Sequence, residues 1–216
     1  MKPEIIIAHL SFGSVFVPLG VALIHWRSLE SELKFLRLIL LVSLLCDALS
    51  IVFVTYSINT HLIGNIYLLL QFSFLYKILT DQLQRRKYLI TIYLTFVAFY
   101  IANMAFYQGP FKFNSVSNVA ASFILMALSL QYLYHLMAKL PIMHIHRLPM
   151  LWISFAVLGY YAGTFFLFLI SNYLVEGAPA SHRMMWMLHN VLNIVKNMLF
   201  AIAIWQSYRT THSSIS

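Results

Sequence analysis

Residues 184–208 read MMWMLHNVLNIVKNMLFAIAIWQSY. About 20 apolar residues, rising about 1.5 Å each, cover the roughly 30 Å of hydrocarbon in a bilayer. Six further stretches upstream repeat that composition, at Ile5–His25, Leu36–Val54, Leu62–Leu83, Tyr88–Phe106, Val119–Leu140 and Leu151–Leu174. Hydrophobic residues make up 61% of the 216 and charged residues 9%, which leaves little chain for a water-soluble domain. The expected fold is all-α: one domain over residues 1–216, a bundle of seven transmembrane helices in a polytopic membrane protein.

The loops orient the bundle. Lys and Arg collect on the cytoplasmic side of spans, and here they fall in alternate connections. Arg27, Lys34 and Arg37 follow the first span, Arg85, Arg86 and Lys87 the third, Lys139 and Arg147 the fifth, and Arg209 the last. The other side holds Lys2, Lys112 and Arg183, and none around Ser57–His61. This pattern puts the amino terminus outside and the carboxyl terminus in the cytoplasm, in a multi-pass plasma (inner) membrane protein. Trp26, Trp152 and Trp205 then mark inner ends and Trp186 an outer end, at headgroup depth. Pro3, Pro110, Pro141, Pro149 and Pro179 sit in loops or the terminus, whereas Pro18 lies within the first span and predicts a kink. Lys77 interrupts the third span near its inner end, where its stem allows the ammonium to snorkel.

The first apolar run is long, lacks a small-residue cleavage site and begins with Glu4, so it reads as a helix rather than a signal peptide. The net charge of +8 suits anionic lipid at the inner rim and implies no nucleic-acid partner. Cys46 is a single thiol, read as packing. Gly159-Tyr160-Tyr161-Ala162-Gly163 has the small-xxx-small spacing that lets helices approach closely, either within the chain or in a homodimer.

Polar residues concentrate in the last span: His189, Asn190, Asn193, Lys196 and Asn197, with His182 just before it. Spacings of i, i+4 and i+7 place His189, Asn193 and Lys196 on one face, which must look into the bundle. Counting along the helices puts Lys196 roughly 18 Å below the outer end of its span and Asp47 roughly 16 Å above the inner end of the second. Those depths agree within about one turn, so an Asp47–Lys196 pair, direct or bridged by Asn193, is expected. With Gln71 on the third span, this group makes a polar core that is either a ligand or ion site or a structural clamp. Tyr100, Asn103, Asn118, Tyr160, Tyr161 and Thr164 are candidates to line an upper cavity.

Spacing bears on metal and cofactor binding. His9, His61 and His182 fall near the outer face with His189 about two turns deeper, candidates for a zinc site assembled from separate helices. The paired histidines of membrane zinc hydrolases such as the alkaline ceramidases and adiponectin receptors are missing. On the inner side, His144 and His146 suit a metal or anionic lipid, though a solvated loop is the simpler reading, and no spacing singles out His25 and His135 for haem. Retinal on Lys196 is disfavoured, because Leu192 stands where microbial rhodopsins carry an aspartate. No phosphate loop, nucleophile elbow, dinucleotide fingerprint or zincin motif occurs, so no cofactor is implied.

The stretch from Leu188 through His189-Asn190-Val191-Leu192-Asn193 to Lys196-Asn197 and Ala203 resembles the last helix of small seven-span bacterial proteins associated with sensor kinases and response regulators. The resemblance implies a sensory role with a cytoplasmic or membrane signalling partner, and assigns no residue a function. Three functions are therefore expected in turn: a seven-helix sensor with a polar core around Asp47 and Lys196, a metal-dependent membrane hydrolase with an outer-face histidine site, and a small-molecule transporter.

Overall fold

The computed structural model describes residues 3–25, 31–83, 86–139, 142–170 and 179–213, all helical or connecting, with no strand among them. Among the described residues seven helices are long and apolar enough to cross a membrane, one for each apolar stretch of the sequence. The architecture is that of a multi-pass membrane protein. Helices α1 (Pro3–Ser14) and α2 (Phe16–Ile24) share the first span. The next three are α3 (Ser31–Thr55), α4 (His61–Asp81) and α5 (Arg86–Ala102), the last continued by a π-helical turn over Asn103–Tyr107. Then come α6 (Ser115–Lys139), α7 (Pro149–Leu169) and α8 (Pro179–Ser213). The sixth apolar window was expected to reach Leu174, but α7 ends at Leu169, and residues 171–178 lie outside the described chain.

The first span, in which Pro18 predicts a kink, is divided into two helices at Val15. Proline has no N–H to offer the Ser14 carbonyl. The Ser14 hydroxyl donates to the Ser11 carbonyl at 2.6 Å. Lys77 pairs with Asp81 one turn along α4, with its side chain half exposed. Trp152 donates from its indole to the His146 carbonyl at 2.8 Å, and Trp205 packs against His25 and Tyr208. Trp26, Arg27 and Arg85 lie outside the described residues. Trp186 is at the expected end of its helix but turns into the bundle, edge-on to Phe113 at 6.0 Å between centroids.

Helix α7 is wedged between α6 and α8, α1 and α2 run along α8, and α4 is flanked by α3, α5 and α6. Phe72, Leu75, Leu125, Ile153, Phe200 and Ile204 are fully buried and fill the half of the bundle nearer the carboxyl-terminal end of α8. Burial of large apolar side chains there supplies the close packing that holds helices together in lipid. Gly163 serves the same end: a Cβ built on it would fall 2.5 Å from Leu192 Cδ1, whereas one on Gly159 would meet nothing within 4 Å. One of the two small residues is thus spent on the α7–α8 contact inside the chain. At the opposite end, Glu4 approaches Arg183 at 3.9 Å, which sets the starts of α1 and α8 side by side.

Candidate functional site: a polar chamber between the helices

The polar face of α8 fans out across its neighbours. The Asn193 amide donates to Ser11 Oγ at 3.0 Å and that of Asn197 to Ser14 Oγ at 2.7 Å, both on α1. These contacts make the broken first span a fixed wall of the site. The Lys196 side chain is 4% exposed, and its ammonium sits over the Tyr160 ring of α7, 4.2 Å from the centroid. An aromatic face carries the negative end of the ring quadrupole, so it partly replaces the water that a buried cation loses.

The direct Asp47–Lys196 pair expected from depth does not form: the described residues contain no salt bridge between them. The two charges interact electrostatically at longer range. Depth along a helix leaves azimuth open. Lys196 is drawn to α7, while Asp47 faces a space bordered by α1, α3, α4, α7 and α8.

That space consists of two adjoining cavities of about 300 and 260 Å³, which share Asp47, Ser50, Tyr67, Tyr160 and His189 in their linings. The first extends toward α1 and takes in Ser11, Ser43, Asn190 and Asn193. The second runs to the loop end of the bundle and takes in His61, Gln71, Asn118, Phe113 and Trp186. Gln71 Nε2 and His189 Nδ1 are buried there without a hydrogen-bond partner among the described residues. The His189 ring is boxed by Trp186, Tyr160 and Phe168, with centroids at 5.3, 5.7 and 5.8 Å. Buried donors and acceptors without partners are rare because each costs about 1–3 kcal/mol, so two beside one space are informative, although Asn114 Nδ2 and Ser154 Oγ are others outside its lining.

A cap closes over the second cavity. The Asn59 amide donates to the Phe111 carbonyl at 2.9 Å, and that of Asn65 to the Pro110 and Lys112 carbonyls at 2.9 and 3.1 Å. Asn103 Nδ2, at the π-helical turn, has Gln108 Oε1, Asn114 Oδ1 and Ser117 Oγ at 2.9, 2.5 and 3.0 Å as acceptors for its two hydrogens. Gly109 holds φ at +76°, a left-handed conformation that favours glycine. Phe113, carried by this segment, lines the cavity and packs on Phe168 and Trp186.

Of the residues singled out in the sequence, Asp47, Gln71, His189, Asn190 and Asn193 line the chamber, as do Tyr160 and Asn118. Lys196 and Asn197 lie just beneath it as a buried cation and an interhelical clamp. Tyr100, Asn103 and Thr164 instead serve structural hydrogen bonds, to the Asn65 carbonyl, the cap and the Tyr160 carbonyl. Ser11, Ser14, Ser50 and Tyr67 were not singled out. Serines in apolar helices are too common to stand out without knowledge of which face they occupy.

The histidines do not gather. His9 donates from Nδ1 to the Ile5 carbonyl at 2.7 Å and lines only the first cavity, while His61 lines only the second. Among the described residues no three His, Cys, Asp or Glu side chains converge on a metal position, and the side chain of His182 lies outside them. The outer-face zinc set is therefore not assembled by His9, His61 and His189. Comparison of the chain with protein-family models, with curated proteins and with solved structures gives no match, so its functional reading rests on the chamber.

Proposed function

We propose that this chain is a seven-helix membrane sensor whose chamber admits a small ligand, with the amino terminus outside and the carboxyl terminus in the cytoplasm of the plasma membrane. One observation carries the reading: among the described residues Asp47 has no salt bridge and Gln71 Nε2 and His189 Nδ1 have no hydrogen-bond partner, and all three line cavities with shared walls. Groups of this kind in lipid either have a function or destabilise the bundle for no return. The alternation of basic loops supports the orientation. The short connections and the last-helix resemblance support a role in signalling through a membrane or cytoplasmic partner.

A ligand that binds one arrangement of α3 and α8 better than another shifts the balance between them by that difference in affinity alone. The Lys196 ammonium, held by a ring rather than by a carboxylate, is the group best placed to change partners. The test is a genomic replacement with Asp47→Asn, compared with deletion of the whole chain. The reading expects a transcript profile like that of the deletion while the variant protein is present in the membrane at normal abundance. A wild-type profile in the Asp47→Asn strain overturns it.

A further inference from the structure

The first cavity lies between α1 and α3, two helices that each pack on other neighbours rather than on one another. α1 rests on α2 and α8, and α3 on α4 and α2. The cleft between them is lined by Ala8 and Phe12 on one side and by Ser43, Asp47 and Ile51 on the other. Ala8 and His9 are exposed, and so is Ile51 at 54%, so the cleft has an open lateral rim. Ile51 and Ala8 lie about 6–8 Å along their helices from the ends at Thr55 and Pro3, and Asp47 about 12 Å. The rim therefore sits where headgroups give way to acyl chains, and the carboxylate lies inward and deeper.

Charge sets the chemistry of the occupant. With histidines neutral, Asp47 is the one formally charged side chain lining either cavity among the described residues. Lys196 lies against Tyr160 and lines neither. A carboxylate in a low-dielectric site calls for a charge-assisted donor, and an ammonium provides three. Ser43, Ser50 and Asn190 stand around the same space with further polar atoms.

We infer that the chamber takes the ammonium head of a single-chain, membrane-dissolved amine through the α1–α3 cleft, with Asp47 as its counter-ion and the tail left in lipid beside Phe12 and Ile51. This rests on the chamber reading above and names its ligand class and entry route.

The test uses the full chain in phosphatidylcholine nanodiscs and follows its thermal unfolding midpoint against dodecylamine, butylamine, dodecanol and dodecanoate. The inference expects a saturable rise with dodecylamine at a half-saturating concentration at least tenfold below that of butylamine, and no saturable rise with the alcohol or the acid. Asp47→Asn should abolish the rise, and Ala8→Phe, which narrows the rim, should weaken it at least fivefold. If Asp47→Asn fails to fold, the comparison of four probes and the Ala8→Phe shift still decide. Equal effects of butylamine and dodecylamine with Ala8→Phe silent overturn the lateral route and leave the chamber as a site filled from water. Equal effects of the alcohol or acid, a rise retained in Asp47→Asn, or no saturable rise with any probe overturn the inference itself. None of these outcomes touches the transcript experiment, which judges the sensor reading separately.

Discussion

The ammonium of Lys196 is buried over the ring of Tyr160. Its cost at mid-membrane demanded compensation, and Asp47 was the only acidic residue deep within a predicted span. The ring face of Tyr160 met that need instead. Tyr160→Phe should therefore leave stability close to wild type, whereas Tyr160→Leu should lose about 0.5–2 kcal/mol, the range of a cation–π contact. A double-mutant cycle with Lys196→Met, read by reversible unfolding in detergent, should show that loss vanishing once the cation is gone; an unchanged loss would show that Tyr160 contributes only packing. The Asn197–Ser14 hydrogen bond belongs to the same scale. Asn197→Ala and Ser14→Ala should each cost about 0.6–1.7 kcal/mol, the range for polar contacts between membrane helices. The double mutant should cost little more than either, and full additivity would break the assignment.

At the scale of elements, the spans were legible because length and composition alone mark them, and a window of about 20 apolar residues needs no knowledge of its neighbours. What happens inside a span was less so. Pro18 announced a break, but its position at Val15 depends on which carbonyl loses its donor. The π-helical turn at Asn103–Tyr107 left no signature, because it is held by Gln108, Asn114 and Ser117 from beyond the span. The small-residue spacing at Gly159 and Gly163 left open whether the contact was internal, and Leu192 resolves it for Gly163. Gly163→Val should push α7 from α8 and cost about 1–3 kcal/mol, as overpacking does. Leu192→Ala added to it should recover most of that loss in the same unfolding assay; failure to recover would place the glycine's role elsewhere.

For the whole molecule, the division of labour is by depth: large apolar side chains fill one half of the bundle and the polar chamber occupies the other, under a cap. The chamber was only partly readable, since Asp47, Gln71 and His189 stand out as polar residues in apolar runs, whereas Ser50 and Tyr67 gain meaning only from the rotation of their helices. The cap makes a prediction of its own. Asn103→Ala removes the donor that ties the π-helical turn to the following segment, and each such hydrogen bond is worth about 1 kcal/mol. In a Cys46→Ser, Ser50→Cys background, a water-soluble thiol reagent should then label position 50 about fivefold faster than with Asn103 intact, as ~1 kcal/mol of loosening implies. An unchanged rate would mean that water reaches the chamber by another way. The helix that bears Asp47 also differs from the rest in how it is held: the α3 window is 17% buried within the protein, against 56% for α7. Most of its surface is given to lipid, so the hydrocarbon around it helps to set its tilt. Bilayer thickness thereby becomes one of the variables that position the acid, and the protein in a short-chain micelle is a differently tuned object from the same chain in a sterol-stiffened or long-chain membrane.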